Sequence, residues 1–239
     1  MTADGADRPV LLKLSGEALK GGGTGVLDGD EVDRVCIEIV HGLRAGARCG
    51  IVVGGGNIMR GASLAGCTAD AAVGDYMGML ATLINALALR DGLRRNGATA
   101  EVVGPHRVPN VCHGYERDQV HEWLADGRVV IFGGGTGHPF LTTDTAAALR
   151  AAEIGARALL KGSNVDGIYE ADPRHHPEAR RFEVLSFDEA IEGRYAVMDQ
   201  TAFALCRDRR VPIRVFDMTR PGAITRALGD QPPGTLVGA

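Results

Sequence analysis

Short apolar runs alternate with longer amphipathic stretches along nearly the whole chain. Residues 10–14, 49–53, 100–103, 129–132, 158–160 and 213–216 are of strand length, and their near-continuous hydrophobicity predicts strands buried on both faces. From Asp30 onward Val32, Val35, Ile39 and Leu43 fall on one helical face, which stops at Gly46. A long helix beginning at Asp75 is expected to bury Met79, Leu80, Leu83, Leu87 and Leu93 and to end at Asn96-Gly97. Further helices are expected over 116–126 and 143–154, from Phe187, and over 198–209. Residues 182–185 read as a strand, and 167–177, rich in Asp, Pro, His and Gly, as a surface loop. The β-then-α alternation demands a mainly parallel central sheet with helices on both faces, a three-layer α/β sandwich. With no linker and no repeat, residues 8–239 read as one domain of two lobes, about 8–155 and 156–239.

Composition narrows the class. A formal net charge of −4, with no basic run longer than a pair, gives no attraction to nucleic acid or to an anionic membrane. The most apolar stretch, residues 77–89, is interrupted by Thr82 and Asn85 and is too short to span a bilayer. The acidic start lacks the regions of a signal peptide, so a cytoplasmic protein is expected. Cys36, Cys49, Cys67, Cys112 and Cys206 are scattered, without any CxxC, and read as small buried hydrophobes. Glycine is the outlier, with 34 residues clustered at 21–23, 54–56 and 133–135.

The first cluster reads as a connector, and the other two fall at strand ends. Lys13-Leu14-Ser15-Gly16, Gly54-Gly55-Gly56-Asn57, residues 133–137 and Lys161-Gly162-Ser163-Asn164 would share one edge of the sheet, where backbone N–H groups and helix N-termini can cradle phosphates. Neither a P-loop nor a Rossmann fingerprint is present. The chain holds only three lysines, and two of them, Lys13 and Lys161, stand at strand ends; a compact ammonium can follow a moving phosphoryl group. Lys13 is favoured for that work, while Lys161 reads equally well as solvated punctuation. Arg60 can reach over the second loop, Asp75 reads as an N-cap or a ligand contact, and Thr142-Thr143-Asp144 reads as a helix cap whose aspartate could orient Lys13 or a metal-bound phosphate. His138 is a loop histidine rather than a base. Cations and loops without an evident base favour an acceptor that is already anionic.

The segments LLKLSGEAL (11–19), VVGGGNIMRG (52–61), GDYMGMLATLINALALRD (74–91), GTGHPFLTTDTAAALRA (135–151), VDGIYEADP (165–173) and PIRVFDM (212–218) resemble the bacterial UMP kinases of the amino acid kinase superfamily over about residues 10–237. The resemblance implies an amino acid kinase-like fold, Mg2+ carried by ATP with no metal site on the protein, and phosphoryl transfer to UMP in a homohexamer serving pyrimidine synthesis. It implies catalytic roles for Lys13, Arg60, Asp144 and Asp199. It puts Lys13, Leu14, Ser15, Gly16, Gly56, Arg60, Ser163, Tyr169 and Asp172 on ATP, with the second lobe on the nucleoside side. It puts Gly55, Asp75, Thr136, Gly137, His138, Pro139, Phe140, Leu141, Thr142 and Thr143 on UMP, within the first lobe. GTP and UTP would act as effectors at Gly21, Gly22, Gly23, Thr24, Gly25, Val26 and Arg90. His138, Ala71 and Gly162-Ser163 depart from the usual residues at their positions. A carboxylate or carbamate kinase of the same fold, or a silent nucleotide-binding shell, is the alternative.

Overall fold

The computed structural model describes residues 8–59, 68, 70–195 and 197–238. In chain order the elements are β1 (Val10–Leu14), α1 (Gly29–Arg44), β2 (Cys49–Val53), α2 (Ala71–Arg95), β3 (Ala100–Gly104), β4 (His113–Gly114), α3 (Arg117–Ala125), β5 (Val129–Phe132), α4 (Thr143–Glu153), β6 (Leu159–Ser163), β7 (Val184–Leu185), α5 (Phe187–Glu192), α6 (Gln200–Arg209), β8 (Ile213–Asp217), α7 (Ala223–Leu228) and β9 (Thr235–Val237). One sheet runs β4-β3-β5-β2-β1-β6-β8-β9-β7, parallel throughout except where β9 turns back on β8.

Strand alternation divides the core into two layers. Leu12 and Leu14 of β1 pack with Val35 and Ile39 of α1, Leu89 of α2 and Ile224 of α7. Leu11, on the opposite face, packs with Val130 of β5, Ala147 and Ala151 of α4 and Phe203 of α6. The result is the expected sandwich of helices on both faces of a mainly parallel sheet. Cys36, Cys49, Cys112 and Cys206 are buried. Burial pushes the thiols of Cys36, Cys49 and Cys206 up to about 12, so they stay protonated and apolar. Cys67 lies outside the described residues.

Several boundaries differ from the sequence reading. The long helix starts at Ala71, capped by Asp70 through Ala72 N (2.9 Å), so Asp75 lies inside the helix rather than at its start. Its buried face is built from small and polar residues, with Gly74, Ala81, Thr82, Asn85 and Ala86 ahead of Leu89 and Leu93, while Leu80 is 61% exposed. The reason is close approach: a Cβ on Gly55 would sit 2.8 Å from Gly78 O and 2.9 Å from Ala81 Cβ, leaving no room for larger side chains. By length and hydropathy the 25-residue α2 would suffice to cross a membrane, yet its small face packs onto the sheet and the glycine loops. β6 runs on to Ser163, so Lys161 lies inside a strand; the strand at 182–185 shrinks to two residues, and α6 begins at Gln200 behind its cap, Asp199. β4, α7 and β9 are too short for periodicity to reveal.

At Gly16 a Cβ would lie 2.3 Å from Asn57 Oδ1 and 2.7 Å from Gly54 O, whereas at Gly22 it would meet nothing within 4 Å. Gly16→Ala is therefore expected to destabilise the fold by roughly 1–3 kcal/mol in urea unfolding, and Gly22→Ala to stay within about 0.5 kcal/mol of the parent.

Candidate functional site

Lys13 follows the same alternation as Leu11, and the parallel register sets Lys13 directly opposite Lys161, so two ammonium groups emerge side by side on the face covered by α4. Left alone, two adjacent cations in a partly dry site would repel. The first turn of α4 supplies the counter-charge: Lys13 Nζ lies 2.8 Å from Asp144 Oδ1, and Lys161 Nζ donates to Asp144 Oδ2. All three side chains are nearly enclosed, with exposures of 11%, 8% and 13% for Lys13, Lys161 and Asp144. Burial pushes the Asp144 carboxyl up, but the charges of Lys13 and Lys161 outweigh it and hold the group below its ordinary range. Burial, and then the neighbouring Lys13 charge, bring Lys161 down to about 8 against the pull of Asp144. The cluster carries one net positive charge below that pH.

The seat of Asp144 is itself braced. Thr142 caps α4, its Oγ1 accepting from Asp144 N (3.1 Å) and Thr145 N (3.3 Å). Asp199 caps α6 through Ala202 N (2.7 Å) and accepts from Thr145 Oγ1 (3.1 Å) and Thr142 Oγ1. Asp199 thus holds the α4 terminus and makes no ion pair with either lysine.

Two clefts open on this edge of the sheet. The first, about 730 Å³, is lined by Lys13, Ser15, Lys161, Ser163, Tyr169 and Asp172 among others. Tyr169 Oη donates to Asp166 Oδ1 (2.6 Å), and that bond raises the phenol. Arg174 makes a bidentate pair with Asp172 (3.0 and 2.7 Å) and holds its carboxyl well below the usual range. The second, about 670 Å³, takes Gly55, Gly56, Asp75, Thr136, Leu141 and Thr142, with Thr143 beside them. Lys13 and Lys161 line the first cleft, Thr143, the neighbour of Asp144, lines the second, and Asp144 itself lines a third opening of about 840 Å³ together with Asp199.

Other expected residues fall elsewhere. Leu14 and Gly16 are buried beneath the loops. Gly137, His138, Pro139 and Phe140 do not line the second cleft; Phe140, at φ 67° and 75% exposed, reaches the site through its backbone N–H, which donates to Asp75 Oδ2 (2.7 Å). Residues 21–26 form a surface turn, whereas Arg90 reaches Val111 O (3.4 Å) and shares no described contact with that turn. Arg60 lies outside the described residues. Sequence reasoning leaves Lys161 evenly open between a charge at the site and solvated punctuation; the structure sets it opposite Lys13 on the same carboxylate. Sequence reasoning passes over Thr82, whose hydroxyl receives Gly134 N (2.6 Å) and braces the third glycine loop against α2.

The model of the amino acid kinase family matches residues 8–217. Among solved structures, UMP kinase from Bacillus anthracis is similar at 35% identity and a TM-score of 0.91, covering 97% of each chain. UMP kinase from Ureaplasma parvum is similar at 32% identity and a TM-score of 0.91, covering 97% of this chain and 99% of that one. Uridylate kinase from Archaeoglobus fulgidus matches at 27% identity and a TM-score of 0.76, over 96% of this chain and 99% of its own.

With Lys161 lowered to about 8 in the fold and near 10.4 when unfolded, the unfolded chain holds a proton between those values that the folded chain has released. Stability linked to Lys161 therefore rises with pH across that window, at no more than about 1.4 kcal/mol per pH unit, the slope of a single proton. Urea unfolding of the parent and of Lys161→Met from pH 7 to 10.5 is expected to show the parent gaining on the variant, with a constant difference as the contrary result.

Proposed function

Because the chain belongs to the amino acid kinase family, we propose that it transfers the γ-phosphoryl group of ATP to UMP, giving UDP and ADP. One observation carries this reading: a pair of lysines sharing one carboxylate at the wall of the first cleft, that carboxylate following in sequence Thr143 of the second cleft, where Gly55 and Gly56 form part of the lining. ATP occupies the first cleft, its nucleoside against Ser163, Tyr169 and Asp172 of the second lobe, residues 156–239. UMP occupies the second cleft against Gly55, Asp75, Thr136 and Thr143 of the first lobe, residues 8–155.

The phosphate of UMP is already anionic, so no general base is required and the protein supplies alignment and neutralisation. Lys13 and Lys161 donate to oxygens of the transferring group, and Asp144 keeps both ammonium groups aimed at the space between the clefts. Arg60 and the N–H groups around Gly55 and Gly56 receive phosphate oxygens. Asp199 and Thr142 hold the α4 terminus, and with it Asp144, in register. Both Asp144 oxygens are engaged by lysine, and among the described residues no group of three His, Cys, Asp or Glu side chains forms a cation cage. The residues thus fit a magnesium ion that arrives on the ATP phosphates, where it would neutralise charge on the donor.

The same reading makes the protein a cytoplasmic enzyme of pyrimidine nucleotide synthesis that assembles as a homohexamer. Val73, Tyr76, Leu80 and Ile84, an exposed apolar stripe on α2, support self-association. GTP and UTP act as effectors through the turn at residues 21–26 and Arg90.

A coupled assay with Mg-ATP and each nucleoside monophosphate in turn is expected to show turnover with UMP; turnover with acetylglutamate or carbamate and none with UMP would overturn the reading. Lys13→Ala should lower kcat roughly 10²- to 10³-fold with a smaller change in UMP affinity. Asp75→Asn should raise KM for UMP about tenfold and leave KM for ATP unchanged in steady-state assays.

A further inference from the structure

Asn85 lies in the middle of α2, fully buried, where an amide side chain is a poor helix residue and demands partners. Its Nδ2 donates to Gly54 O (2.7 Å) and to Asn57 Oδ1 (2.7 Å). Asn57, itself buried, donates from Nδ2 back to Asn85 Oδ1 (3.1 Å) and onward to Val26 O (2.7 Å). All four amide hydrogens are spent, and the pair joins the helix, both ends of the glycine loop and the turn at residues 21–26. It also lies against the first loop, since a Cβ on Gly16 would fall 2.3 Å from Asn57 Oδ1. The turn is pinned at its base by Asp28 N donating to Leu19 O (2.8 Å), and its exposed tip leads into Val26.

We propose that Asn57 and Asn85 are positioning residues that hold the glycine loop in its phosphate-binding shape and make that shape depend on where Val26 sits. A shift of the turn alters the acceptor of Asn57 Nδ2, and the strain passes through Asn85 to Gly54 and along the backbone from Asn57 to Gly56, the two ends of the loop whose Gly55 and Gly56 wall the second cleft. An apolar pair of the same size would fill the space without conveying this. The inference rests on the kinase reading for the phosphate-binding role of the loop and for its catalytic readout, and not for the coupling of turn to loop.

The test uses the isosteric variants Asn57→Asp, which removes the donor to both Val26 O and Asn85 Oδ1 and keeps the acceptor for Asn85 Nδ2, and Asn85→Asp, which removes the donor to both Gly54 O and Asn57 Oδ1. Hydrogen exchange by mass spectrometry is expected to quicken in both segments, residues 20–28 and 52–59, in either variant. kcat is expected to fall about tenfold or more, with calorimetric affinity for adenosine within twofold of the parent. Quickened exchange confined to one segment, or unchanged kcat with lowered stability, would overturn the proposal by making the pair a packing element. If Asn85→Asp does not fold, Asn57→Asp at the loop end decides alone. If the parent turns over no UMP, the kinase reading fails and the exchange pattern still decides the coupling of turn to loop.

Discussion

Two ammonium groups held opposite each other by the register of adjacent parallel strands must either separate or share an anion, and the site is organised by that constraint. β1 and β6 bring Lys13 and Lys161 to the same height on the same face because each follows a core leucine by two residues, Leu11 and Leu159. Asp144 resolves the conflict from the first turn of α4, where helix-terminal N–H groups further favour a negative charge. The arrangement leaves a surplus positive charge at the wall of the first cleft. Asp199 extends the same arrangement outward, since its hydroxyl partners Thr142 and Thr145 fix the turn that carries Asp144.

The second constraint is the distance between α2 and the glycine loops. Gly55 and Gly133 would clash with α2 if either bore a Cβ, which explains why the helix turns its small and polar residues inward and leaves Val73, Tyr76, Leu80 and Ile84 outside. Buried Thr82 and Asn85 then serve as hydrogen-bonding partners for loop backbone, Thr82 for Gly134 N and Asn85 for Gly54 O. Small residues and amides in one helix are thus two answers to one requirement: loops that approach the helix this closely must still have their peptide groups satisfied.

Much of this was legible in the sequence. The alternation of apolar runs and amphipathic stretches gives the parallel sheet, and Lys13, the glycine clusters and the Thr142-Thr143-Asp144 cap all lie at one edge. What escaped were relations rather than residues. Hydrophobic periodicity placed Leu80 in the core because it counts apolar faces, and it has no measure of how closely a helix approaches a loop. Lys161 stays open between two readings in the sequence because a strand register is a pairing between distant segments. β4, α7 and β9 are two to six residues long, below the length at which a period can be read. Asp75 looked like a cap because aspartate before an apolar run usually is one, whereas Asp70, five residues earlier, holds that place.

Asp144 is expected to act through the two lysines and not on its own. A double-mutant cycle on the single-turnover rate of transfer to UMP, combining Lys13→Met with Asp144→Asn, tests it most directly. If the account is right, the double variant retains activity well above the product of the two single losses, by about tenfold or more, because each change disables the same charged unit. Losses that simply multiply would show that Asp144 and Lys13 work independently, and would contradict the arrangement on which the rest of the site depends.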